Sequence, residues 1–123
     1  MRYLIMIQSN PDFQRIWDGL SDEQRRAMGR DHRALTKELA ATGELVASEG
    51  LDDVALTRRV SVRDGRALVS DGPLAEAKEH LAGFYLVDCA SFERAVEIAA
   101  RVPEAAFGLV EVREVQELSE MAG

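Results

Sequence analysis

Few side chains in this chain of 123 residues can exchange a proton near neutral pH: there are two histidines and one cysteine. His32 shares a helical spacing with Met28, Leu35 and Leu39, so it lies on the apolar face of a helix. A histidine so placed is either a half-buried residue with both nitrogens satisfied or a proton-transfer group at the edge of a cleft. The second role needs a carboxylate within hydrogen-bond reach. By elimination, Asp71, Glu49 and Glu111 are the candidates for that partner, which makes His32 and Asp71 the candidate catalytic pair.

The run Ser70 to Glu79 holds the next group of candidates. Asp71-Gly72-Pro73 has the composition of a turn: Asp accepts backbone hydrogen bonds, Gly relaxes φ and Pro starts a helix. Asp71 can also project a carboxylate from such a loop. Glu76, Lys78 and Glu79 read either as an exposed helix face or as a cleft mouth, where the lysine holds an anionic ligand and a glutamate orients it. Arg58 falls on the apolar face of an alternating strand, so it needs a carboxylate or an anionic ligand. Glu111 and Arg113, on one face of the last strand, are its possible partners, as ligand contacts or as an ion-pair network between subunits. The candidate ligand-binding set is therefore Arg58, Asp71, Lys78, Glu79 and Glu111.

Other charged and polar residues carry less chemistry. Arg26, Arg30, Arg33 and Lys37 form a solvated helix stripe, with Asp22 four residues before Arg26. His80 reads as surface, and Cys89, with no base or second cysteine near it in sequence, as structural. The histidines and the cysteine stand at unrelated spacings, so no metal is expected. No Gly-rich phosphate loop and no nucleophile elbow occurs, and no cofactor is expected.

Composition bounds the rest. The net charge is -7 with a pI near 4.8, which disfavours direct nucleic-acid binding. Apolar residues make up 46%, enough for a core in one domain over residues 1–123. A single cysteine fits a reducing compartment, and Leu4 to Ile7 is too short for a signal or membrane segment, so a soluble cytoplasmic protein with no membrane partner is expected.

These residues are positioned by a regular succession of elements. Tyr3 to Gln8 reads as a two-sided strand. A short helix opens at Asn10-Pro11, holds Phe13 and Trp17 in the core and stops near Gly19. A second, with Ser21 and Gln24 as a capping box, runs to about Thr42 and stops at Gly43. Glu44 to Glu49 is a strand. Leu56 to Val62 and Ala67 to Ser70 form a hairpin around Asp64-Gly65. A short helix follows Pro73 and ends before Gly83, and Phe84 to Val87 is a further strand. Ser91 caps a helix with Phe92, Ala95, Val96 and Ala99 facing inward, and Leu109 to Gln116 closes the chain as a strand. The order gives an α+β fold of the ferredoxin-like split βαβ kind, with an inserted hairpin and short helix. Helices cover one sheet face, and the other is covered most simply by a second copy, as a homodimer.

Asp64-Gly65, Asp71 to Glu79, Gly83 to Leu86 and Val110 to Arg113 together resemble the DGPF-domain proteins of the YCII-related group, over nearly the whole chain. Leu74 replaces the Phe of the family run, and Glu114 stands where Pro is usual. The resemblance implies a dimeric α/β barrel with a cleft between the sheet and the inserted elements. It implies an accessory or regulatory domain for an unknown small molecule, associated with an extracytoplasmic-function sigma factor. It also implies, for the wider group, a His–Asp catalytic pair. His32, eleven residues before Gly43, matches the histidine, whereas the aspartate position is Val102, before Pro103. The alternative function is thus a small-molecule enzyme using His32 as general acid or base with another carboxylate of the cleft.

Overall fold

The computed structural model describes residues 1–74 and 77–121. Strand β1 (Arg2–Ser9) leads into helices α1 (Pro11–Gly19) and α2 (Asp22–Thr42), then strand β2 (Leu45–Gly50). The hairpin β3 (Arg58–Arg63) and β4 (Arg66–Asp71) follows, then β5 (His80–Asp88), α3 (Phe92–Ala99) and β6 (Val110–Glu114). Four strands form an antiparallel sheet in the order β2-β5-β1-β6, while β3 and β4 pair only with each other. The architecture is mixed α+β. The sheet stays open, and the described residues form no closed barrel.

Local chemistry accounts for the helix limits. The Asn10 side chain accepts from the Phe13 amide at 2.8 Å, with Pro11 at the first helical position. Ser21 and Gln24 form the reciprocal capping box. Gly43 ends α2 at φ 81, a left-handed conformation that glycine takes without a Cβ penalty.

Alternation along β1 and β5 sorts the core. Tyr3 pairs with Val87, Ile5 with Tyr85 and Ile7 with Gly83 across the two central strands. These residues are buried on one face under Leu35 and Leu39 of α2 and Ala95, Ile98 and Ala99 of α3. Leu4, Met6, Phe84 and Leu86 point to the opposite face and are only half-buried, because no helix of the described residues packs there. Gly83 lets β2 approach β5: a Cβ there would lie 3.0 Å from the Glu49 carbonyl oxygen.

Several expectations need correction. The short helix after Pro73 is absent from the described residues of that segment: 77–79 are irregular and β5 already starts at His80. Ala75 and Glu76 lie outside the described residues. On α3, Ile98 faces inward, whereas Phe92 and Val96 are exposed. Ala95, Ile98 and Ala99 define the buried face; Phe92 lies at its edge, its ring edge-on to Tyr3 at 5.3 Å, and Val96 turns to solvent. Phe13 and Trp17 are half-buried at the flank of the fold instead of in its core. Phe13 meets Phe107 edge-on at 5.2 Å. The Arg25 guanidinium lies 5.5 Å over the Trp17 ring and donates to the Trp17 carbonyl, tying α1 to α2. Arg26 and Arg30 pair with Glu23, and it is Arg25 that faces Asp22.

One ion pair closes the sheet onto α3. Arg94 Nε and Nη2 each donate to a Glu44 oxygen at 2.9 Å. Hydrogen bonding to Arg94 holds the Glu44 carboxyl below its ordinary 4.5, burial opposing. Because the folded-state value is depressed, this stabilisation is complete above about 4.5 and is lost as pH falls through the folded value. The melting temperature is expected to fall below pH 4.5, and Glu44→Gln should flatten that dependence in a pH series of thermal melts. Leu39 is fully buried; Leu39→Ala should cost about 3 kcal/mol in urea unfolding.

Candidate functional site

His32 lies in the middle of α2 with its ring turned to the seam between that helix and the sheet, where its side chain is 27% exposed. Its Nε2 stands 2.7 Å from Glu104 Oε1. Its Nδ1 stands 2.6 Å from the Tyr85 hydroxyl. The His32 and Tyr85 rings lie nearly parallel, 16° apart with centroids 5.9 Å apart. Each partner comes from a different element. Tyr85 belongs to the buried face of β5, and Glu104 follows Pro103 in a 3₁₀ turn (Pro103–Phe107) beside α2.

The partners define the tautomer. A carboxylate can only accept, so Nε2 carries the hydrogen and donates to Glu104. Nδ1 is then the acceptor for the Tyr85 O–H. Burial pushes the Tyr85 hydroxyl up from 10.0, with contact to Thr36 opposing and the Glu104 charge adding, so it stays protonated as a donor. If His32 takes a second proton, Nδ1 becomes a donor to the Tyr85 oxygen. The Tyr85 hydrogen then has a second acceptor in the His32 carbonyl oxygen at 3.3 Å. The three side chains therefore accommodate both charge states of the imidazole.

A cavity of about 240 Å³ opens beside this group, lined by Ile7, His32, Thr36, Ser48, Tyr85 and Glu104 among others. A larger one, about 570 Å³, lies between Asn10, Gln14, Asp52, Asp53 and His80. His80, expected at the surface, helps to line it. It contains no hydrogen-bonded pair of titratable side chains among the described residues, whereas the smaller cavity holds the His32–Glu104 pair. No three His, Cys, Asp or Glu side chains among the described residues converge as a metal site requires.

The expected residues are dispersed. Arg58 and Asp71 face each other in register on the exposed hairpin, away from His32. Lys78 and Glu79 are exposed just before β5. Glu111 accepts from Gln8 Nε2 at 3.3 Å on the uncovered side of the sheet. Of the carboxylates expected to partner His32, only Glu49 borders its cavity, and none is bonded to it. The bonded carboxylate is Glu104, two residues past the position of the missing aspartate. An acidic residue just after Pro at a helix start serves the macrodipole often enough to hide this role. Tyr85 carries no sequence signal of this role, since its place in an apolar strand marks it as core. Cys89 is buried, its thiol 3.4 Å from the Ser91 carbonyl oxygen.

Fold and site together define a small α+β domain with a histidine–carboxylate pair at the seam between helix and sheet. The chain matches the YCII-related domain over residues 1–119. It is 36% identical over 117 residues to an uncharacterized protein of Rhizobium meliloti (strain 1021), an alignment covering 92% of this chain and 90% of that one. The chain belongs to the YCII-related family. No helix among the described residues is long and apolar enough to cross a membrane.

The tautomer is directly measurable. Nitrogen-15 spectra of neutral His32 should show hydrogen on Nε2, and Glu104→Gln should give a mixed population, because an amide can donate as well as accept. Tyr85→Phe leaves Nδ1 without its donor and should cost about 1 kcal/mol in urea unfolding.

Proposed function

We propose that this protein is a small-molecule enzyme of the acid–base class, with His32 as the proton-transfer group and Glu104 as the carboxylate that orients it. The observation that carries this reading is the placement of His32 between a hydroxyl and a carboxylate on the wall of a cavity. Glu104 fixes the tautomer and stabilises the imidazolium when it forms, the role a carboxylate plays behind a catalytic histidine. A ligand in the cavity exchanges its proton with Nδ1, either through the Tyr85 hydroxyl or in its place. The volume of about 240 Å³ lies below the usual range for drug-sized ligands, so the substrate is a small polar metabolite.

The same reading takes the protein as a homodimer. Two observations support it: the strand order β2-β5-β1-β6 with α2 and α3 on one face, as in a ferredoxin-like split βαβ unit, and the apolar face of Leu4, Met6, Phe84 and Leu86 that no described helix covers. Two such faces packed together make the dimeric α/β barrel implied by the resemblance to DGPF-domain proteins. The single buried thiol of Cys89 is in keeping with a cytoplasmic location.

An accessory ligand-binding domain acting with a sigma factor is the second reading. It would use Arg58, Asp71, Lys78, Glu79 and Glu111. Their separation within one chain favours the acid–base reading, because neither cavity described above gathers them among the described residues.

A screen of small carboxylate and carbonyl metabolites by thermal shift, with turnover followed by proton NMR, tests the proposal. A substrate is expected whose kcat/KM drops by about 10² or more in His32→Gln, within the range of general acid–base catalysis, and falls also in Glu104→Gln. A ligand that binds without turnover, equally well in both variants, would sink it.

A further inference from the structure

We infer that the β3–β4 hairpin is an arm that docks on a second copy of this chain. This rests on the homodimer reading above and assigns to that dimer a surface outside the sheet. The register pairs Val60 with Val69 and Val62 with Ala67 on one hairpin face, with Arg58 opposite Asp71 at its base, while Arg59, Ser61, Arg63, Arg66 and Ser70 occupy the other with Leu68. The arm is thus one-sided, as is a strand pair that covers a core. Yet no described residue covers that apolar face: Val60 is 68% exposed, Val62 71% and Val69 58%. Every residue from Leu51 to Asp71 is exposed. A lone two-stranded hairpin is marginal in water, and an uncovered valine face on it calls for a partner.

Area and charge identify that partner. A compact chain of 13.6 kDa exposes about 6,600 Å² by the scaling for monomers. This chain exposes 8774 Å², an excess of about 2,200 Å², far more than a small ligand can cover and in the range of an obligate protein interface. From Arg58 to Asp71, four arginines against two aspartates leave the arm at +2, so the remainder of a chain with net charge -7 carries -9. Arg59, Arg63 and Arg66 lie on the other hairpin face, so charge steers the arm toward a copy of this acidic body, while the valine face makes the contact and extends that copy's uncovered apolar sheet face.

The test uses the full chain in light scattering across a concentration series. Wild type should be a dimer at micromolar concentration. Val60→Lys with Val62→Lys should weaken the dimer at least tenfold, while Ser61→Lys, on the other hairpin face, should leave it intact. Hydrogen exchange supplies a second readout that needs no substitution: amides from Arg59 to Ser70 should be protected in the dimer and lose that protection on dilution to monomer. A wild-type dimer unaffected by the paired substitution, with those amides unprotected, overturns the arm and leaves the sheet-to-sheet dimer standing. A wild-type monomer overturns both. A duplex-DNA mobility shift by wild type that is lost in Arg58→Ala with Arg59→Ala would assign the arm to nucleic acid and overturn its assignment to a second copy.

Discussion

Tyr85 is the residue on which fold and site both depend. Its ring belongs to the buried face of β5, opposite Ile5, and its hydroxyl reaches the His32 imidazole. The strand period of two sends Tyr85 under the helices together with Val87. The helical period then sets His32 one turn before Leu35 and two before Leu39, the residues that seat α2 on the sheet. Packing of the core thereby sets the distance between the hydroxyl and Nδ1. A buried hydroxyl must be hydrogen-bonded, and a buried Nδ1 must find a donor, so each satisfies the other at the edge of the core.

The two faces of the sheet are unlike for the same reason. Residues 3, 5, 7, 85 and 87 carry the helices, and on their neighbours one position along no described helix packs. An antiparallel sheet tolerates one solvated face when that face is polar. Here its centre is Leu4, Met6, Phe84 and Leu86, with Glu111 and Arg113 on the adjoining β6. Apolar strands on both faces, in a chain of this size, leave that centre half-buried within the single chain.

The order of strands and long helices could be read from local signals because each has a local cause: the Asn10 and Ser21 caps, the left-handed Gly43 and the Asp64-Gly65 turn act within a few residues. The helix expected after Pro73 had the same kind of signal, and there the tertiary ladder prevailed. Residues from His80 onward gain backbone partners on β1, which a one-turn helix cannot match. The inward face of α3 departs from its sequence pattern for a related reason. Ala95, Val96 and Ile98 are all apolar, and only contact with β1 and β6 selects the face. Arg58 shows the limit of periodicity: alternation placed it on an apolar face, but that face belongs to a hairpin standing off the body.

Glu104 is the least legible part of the site. The resemblance places a carboxylate before Pro103, and the residue there, Val102, is 1% exposed within the core cluster. An ionised aspartate could not occupy that environment without a partner. Two residues further on, the 3₁₀ turn has come round to face α2, and a glutamate, one methylene longer than aspartate, spans the gap to Nε2 at 2.7 Å. The side chain stays 14% exposed, so its charge keeps some solvent while still directing the imidazole. Sequence spacing could show that one carboxylate position was empty. Only the fold of the turn, which brings residues 72 positions apart into contact, could show that another had taken over its contact with the histidine.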